Sequence, residues 1–188
     1  MADSLAPGFL VAAPALDCPF FGRTVVLLID HSAEGSFGFV VNRESPVRFD
    51  QVVAELDLDP DPLSPELPVL LGGPVSPETG WVVFDPEGAP EVPTDVLEVT
   101  AEVALSASLQ MLESVAANRA PRRALLALGY AGWGPGQLES EMNEGSWIPV
   151  DLDADVVFDL PLEARWETAL RSLGIDPARV VTRKVAEA

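Results

Sequence analysis

Two apolar runs, residues 24–30 (TVVLLID) and 36–42 (SFGFVVN), are separated only by His31-Ser32-Ala33-Glu34-Gly35. A link that short cannot carry the crossover that parallel neighbours need, and it contains the glycine a tight hairpin favours. Both runs are rich in β-branched and aromatic residues, so they predict adjacent antiparallel strands. Further strands are predicted at residues 8–13, 80–85, 96–105, 124–130 and 156–158. Residues 69–71 lead into Gly72-Gly73-Pro74.

Helical periodicity appears in three places. Asp50 reads as an N-cap before Val52, Val53 and Leu56. Residues 108–118 carry Leu109, Leu112, Val115 and Ala116 on one face. Pro161 suits a first helical position before Leu162, Trp166, Leu170 and Leu173, with Gly174 as the C-cap. Residues 138–143 add one or two turns. Strands and helices are interspersed without strict alternation, which predicts an α+β fold with a mixed, largely antiparallel sheet. The length, 188 residues, favours a single domain over 1–188, with its core at about 8–175 and a frayed tail at 181–188. Pro60, Pro62, Pro65 and Pro68 make the segment between them an acidic surface loop, and Pro86, Pro90 and Pro93 mark a second loop.

Charge removes whole classes of partner. Thirty acidic residues against eleven basic ones give a formal −19. Nucleic-acid affinity comes mainly from Lys and Arg, and so does attraction to anionic membranes. Arg119, Arg122 and Arg123 form the one local basic cluster, so direct DNA binding ranks last and no membrane partner is expected. The single cysteine, Cys18, cannot form an internal disulfide or a thiolate-based metal site. No positively charged leader precedes the first apolar stretch, and a cytoplasmic location is expected.

The densest run of special residues is LGYAGWGPGQLE, Leu128 to Glu139. Four glycines, two aromatics, an amide and a carboxylate follow a strand-like run, as in a binding loop on a rigid scaffold. Its GxGxG spacing is not a dinucleotide fingerprint, and no P-loop lysine follows, so no cofactor is assigned. Asp151, Asp153 and Asp155 alternate, but Val156 stands where a calcium loop needs glycine, so no metal is assigned.

Four ordered blocks carry a resemblance. They are FLVAAPAL with FGRTVVLLIDH and GSFGFVVN; LGGPV with Gly80; LGYAGWGPGQLESE with Trp147; and VVF followed by Arg165-Trp166 and Leu173-Gly174. Over residues 8–175 the chain resembles the YqgE/AlgH family of small bacterial proteins. The resemblance implies an α+β domain whose bifurcated sheet contains a small closed barrel, flanked by helices. It implies no established enzymatic activity. Members of the AlgH type carry the label of transcriptional regulator, from a genetic association with alginate production. Some relatives have cysteine before the acidic–His pair. Here Ile29 precedes Asp30-His31, so a thiol role at that position does not carry over. Phe84 stands where some relatives have histidine, leaving His31 as the one imidazole.

The candidate binding residues are His31, Asn42, Gly72, Gly73, Tyr130, Trp133, Gln137 and Glu139. The aromatics with a few polar groups fit a pocket lining, and Gly72-Gly73 fits an anion nest. Without a complete catalytic set, the leading expectation is a non-catalytic binding or regulatory protein, acting through a protein partner or a small ligand. The alternative is a hydrolase or transferase using His31 or Glu139 as base, with Cys18 as a conceivable nucleophile beside His31.

Overall fold

A computed structural model describes residues 5–64, 66–87, 95–119 and 121–178. The elements in chain order are β1 (Gly8–Ala12), β2 (Val25–Ser32), β3 (Gly35–Val40), α1 (Phe49–Glu55), β4 (Val69–Leu71), β5 (Val75–Phe84) and β6 (Leu97–Glu98). There follow β7 (Ala104–Ser106), α2 (Leu109–Ala116), β8 (Ala124–Trp133), α3 (Gln137–Asn143), β9 (Trp147–Val150), α4 (Ala154–Phe158) and α5 (Leu162–Ser172). The fold is α+β and largely antiparallel, as the hairpin-length links predict; β4–β8 is a parallel pair. The chain forms two compact units. One takes the chain up to Asn42 and from Ala131 onward, and the other is Arg43–Tyr130.

In the first unit the antiparallel order is β8 (its last three residues)–β3–β2–β1–β9. Strand β1 is buried along its whole length, as a central strand covered on both faces should be. Leu10, Val26, Leu28, Val40, Leu138 and Trp147 meet in the core of this unit. Helix α5 is fixed to the sheet by two polar side chains that it buries. Trp166 Nε1 donates to Ala12 O at 2.8 Å. Arg165 donates through Nη1 to Val41 O at 2.6 Å and through Nε to Leu160 O at 2.9 Å. Burial pushes the Arg165 guanidinium down to about 10, against the pull of Asp159. That value is still well above neutral pH, so the guanidinium keeps its charge.

In the second unit the order is β6–β7–β5–β8, with β4 also on β8. Phe49 and Val53 of α1, Met111 and Val115 of α2, and Val69, Val82, Phe84 and Leu126 of the strands form its core. Ser108 caps α2, its Oγ accepting from Met111 N at 3.3 Å.

Several sequence expectations are corrected. Residues 156–158 are helical, not a strand: Asp153 Oδ1 accepts from Asp155 N at 3.0 Å and caps α4, and this cap prevails over two β-branched valines. Strand β9 went unread because Pro149 interrupts it, although Pro149 occupies a register position opposite Leu10. Helix α1 starts two residues earlier than expected, at Phe49, with Arg48 and not Asp50 as its N-cap. Asp50 lies in its first turn, and Gln51 Oε1 accepts from Arg48 N at 2.9 Å. The strand predicted over 96–105 is two short pieces, β6 and β7. The tail at 181–188 lies outside the described residues.

Candidate functional site

Strand β8 runs three residues further than the apolar pattern implied, so Ala131, Gly132 and Trp133 belong to a strand and not to a loop. The chain then turns at Gly134-Pro135-Gly136 into α3. Gly136, at φ +73°, is the N-cap residue of that helix. Gln137 closes the turn: its Oε1 accepts from Gly134 N at 3.1 Å, and its Nε2 donates to Glu141 Oε1 at 2.8 Å.

Glu141 organises this unit. Its Oε2 accepts from Trp133 Nε1 at 2.9 Å and from Trp147 Nε1 at 2.7 Å. The two indoles meet edge-on at 5.8 Å, and Phe21 packs edge-on against Trp147 at 5.5 Å. Burial raises the affinity of the Glu141 carboxyl for a proton, but the hydrogen bonds from Trp147, Gln137 and Trp133 together outweigh it. The net shift is downward. Trp133 and Gln137, two of the residues that made this segment look like a binding loop, thus both donate to Glu141.

His31 is placed differently from the sequence expectation. It does not open a turn but lies within β2, opposite Ser36 of β3. A bulge at Ile29, between the Leu28–Gly38 and Asp30–Phe37 pairs, sets this register. His31 Nδ1 is 2.7 Å from Ser36 Oγ. On the other side of the ring, Nε2 is 3.8 Å from Glu139 Oε1 of α3. Ser36 is buried, the His31 side chain is 18 % exposed and that of Glu139 48 %. Cys18 Sγ takes a hydrogen bond from Phe21 N at 3.4 Å, while Ser36 and Glu139 flank the imidazole. Ser36 was missed as a candidate because its position beside His31 follows from the strand register and not from any motif.

Asn42 is a structural bridge in this same unit. Its Oδ1 accepts from Val25 N at 2.8 Å and its Nδ2 donates to Arg23 O at 2.9 Å. His31, Trp133, Gln137 and Glu139 therefore gather around α3 in the first unit. Gly72, Gly73 and Tyr130 belong to the second unit. Gly72 and Gly73 are buried there, and Gly72 N donates to Leu128 O at 2.8 Å, which takes that N–H away from any anion.

The second unit holds a feature that the sequence did not announce. Two neighbouring hollows flank the start of α1. One, of about 430 Å³, has Phe49, Leu67 and Val69 among its walls and Glu44, Arg48 and Glu66 about it. The other, of about 240 Å³, has Phe49, Val53 and Ala116, with Asp50, Asp61 and Glu66. Arg48 is tied to Asp50 at 3.2 Å and to Glu66 at 2.8 Å. Among the described residues, no group of three or more His, Cys, Asp or Glu is placed to hold a metal ion. No described helix is long and apolar enough to cross a membrane.

A family model described as AlgH-like matches residues 9–178. The chain belongs to the AlgH-like family. A UPF0301 protein of Anaeromyxobacter dehalogenans is 47 % identical over 180 residues, covering 93 % of this chain and 90 % of that protein. A UPF0301 protein of Xanthomonas campestris is 45 % identical over 177 residues, covering 94 % and 93 %. Among solved structures, the AlgH protein from Pseudomonas aeruginosa superposes with a TM-score of 0.79 at 33 % identity, over 96 % of this chain and 95 % of that one. Protein DIP2367 of Corynebacterium diphtheriae gives 0.71 at 25 % identity, over 92 % and 89 %. The blocks that carried the resemblance in the sequence lie largely on the hydrogen-bonded elements of this AlgH-like chain, in β1–β3, β8–α3 and α5.

Proposed function

We propose that this AlgH-like chain is a non-catalytic binding or regulatory protein of the cytoplasm, engaging a protein partner or a small ligand through the hollows of its second unit. The observation that carries the reading is where unused capacity lies. Trp133, Gln137 and Trp147 all donate to Glu141, whereas a cavity of about 430 Å³ is open beside α1. That volume lies within the range of ligand sites. Its walls offer carboxylates, a guanidinium and apolar side chains, which is recognition chemistry without a nucleophile–base pair. Ser45 Oγ, the hydroxyl nearby, accepts from Val47 N at 3.0 Å.

A thermal-shift screen of the full chain, paired with affinity capture, tests the reading. A ligand at a hundred times its Kd contributes about 2.7 kcal/mol, so a rise in Tm of roughly 5–10 °C is expected at this chain length. Val47→Trp, which fills the larger hollow, should abolish that rise. A screen without a shift, together with a capture that recovers nothing, counts against the proposal.

One distance favours a second reading. With the proton on His31 Nε2 toward Glu139, Nδ1 is free to accept from Ser36 Oγ–H, and a hydrolase or transferase would use His31 as base. A fluorophosphonate probe decides this. Labelling at Ser36 that disappears in His31→Ala supports it, and an unlabelled chain excludes it.

A further inference from the structure

Resting on the binding reading above, we infer that the two hollows beside α1 form one docking surface for a basic, amphipathic segment of a partner protein. The hollows share Phe49 and Glu66, so an occupant of one borders the other. Phe49, Leu67 and Val69 give the larger hollow apolar walls among polar ones, and the smaller one, with Phe49, Val53 and Ala116, is mainly apolar. Val47, which lines the larger hollow, is 36 % exposed, and Leu63, next in sequence to residues of the smaller one, is 81 % exposed. Apolar side chains exposed next to a groove with a polar rim are what a protein-docking site presents.

The rim decides the sign of the partner. Four carboxylates, Glu44, Asp50, Asp61 and Glu66, face one guanidinium, Arg48. Arg48 already bridges Asp50 and Glu66. Glu44 and Asp61 are outside that ion pair, although Asp61 Oδ1 accepts from Leu63 N at 2.8 Å, and these two carboxylates are the ones to meet a partner's Lys or Arg. A chain at −19 attracts such a segment from a distance and repels acidic ones. The mode of docking is also constrained. The open edge of β4 is filled by the chain itself, with Ser45 N donating to Val69 O and Leu71 N to Arg43 O, both at 2.9 Å. An added strand would find no ladder there, so recognition falls to side chains entering the hollows.

The test is fluorescence anisotropy of the full chain with a fluorescein-labelled peptide of alternating Leu and Lys. Peptides of alternating Leu and Glu, and of alternating Ser and Lys, serve as controls. Binding is expected for the Leu/Lys peptide alone. The Glu44→Lys/Asp61→Lys variant should weaken it about tenfold or more. The Glu98→Lys/Glu102→Lys variant makes the same change in net charge at two other exposed residues and should weaken it far less. Equal loss in the two variants, or equal binding of the Ser/Lys peptide, would show unspecific attraction and overturn the inference. Unchanged circular dichroism and Tm confirm that each variant is folded. The two proposals fail separately. A non-basic ligand displaced by Val47→Trp would overturn the basic segment and leave the binding reading standing. No ligand of any kind would remove both.

Discussion

Glu141→Ala is expected to be among the most destabilising single substitutions in the chain, although Glu141 is a half-buried carboxylate on a helix of seven residues. The substitution removes three hydrogen bonds at once and orphans two indole N–H groups. Trp133 is 6 % exposed and Trp147 4 %, so water cannot readily replace the carboxylate. Each buried donor left unpaired costs about 1–3 kcal/mol, and bonds to a charged acceptor lie at the upper end. The sum is roughly 2–6 kcal/mol, or a fall in Tm on the order of 10 °C at this chain length. Glu144→Ala, three residues on and exposed, should change Tm by less than about 2 °C. Tryptophan fluorescence followed through urea unfolding reads both effects. A Glu141→Ala curve overlaying that of Glu144→Ala would overturn the assignment.

The same residue gives a pH dependence of definite sign. The folded-state pKa of Glu141 lies below its ordinary value. Its stabilising contribution is therefore complete above the unfolded-state pKa and is lost as pH falls through the folded one. Glu141→Gln cannot ionise, so its stability deficit relative to the native chain should be largest near neutral pH and shrink in acid. A deficit that is constant down to pH 3 would mean that the carboxylate is not the operative acceptor.

These chemical groups were visible in the sequence, but their use was not. The hairpin over residues 24–42 was legible because two apolar runs and a short glycine-containing link leave few alternatives. The β8–α3 segment was legible as unusual composition, and Trp133 and Gln137 stand out in it as an aromatic and an amide among glycines. The use made of them depends on Trp147 and Glu141, which reach the same point from β9 and α3. Ser36 was hidden for a related reason. A bulge of one residue at Ile29 determines which β3 residue His31 opposes, and a slip of one position reverses every side chain of a strand. The hollows were least legible. Their walls come from residues between 44 and 53, from 60, 61, 64 and 66–69, and from 116, around a proline-rich segment that has no periodicity to read.

The glycines of the same segment separate two roles that composition alone cannot distinguish. Gly129 and Gly136 both have positive φ, +69° and +73°, so alanine at either accepts a left-handed backbone at about 1–2 kcal/mol. Their surroundings differ. At Gly129 an added Cβ would lie 2.5 Å from Gly73 O, 2.8 Å from Val75 O and 3.1 Å from Pro77 Cα, all backbone atoms. The cause is local: β5 makes an irregular excursion between its Val75–Tyr130 and Gly80–Leu128 pairs, and Gly129 lies opposite that excursion. At Gly136 nothing lies within 4 Å of such an atom. Gly129→Ala must therefore displace three backbone groups in addition to paying the dihedral penalty, and a loss above about 4 kcal/mol is expected. That is a large part of the 5–15 kcal/mol typical of a folded domain, so soluble yield should fall sharply. Gly136→Ala should fold normally and lose about 1–2 kcal/mol. Urea midpoints and soluble yields measured side by side check both. If the two variants lose equal stability, the glycine at 129 is required only for its dihedral angle, and the close approach of β5 to β8 does not constrain this position.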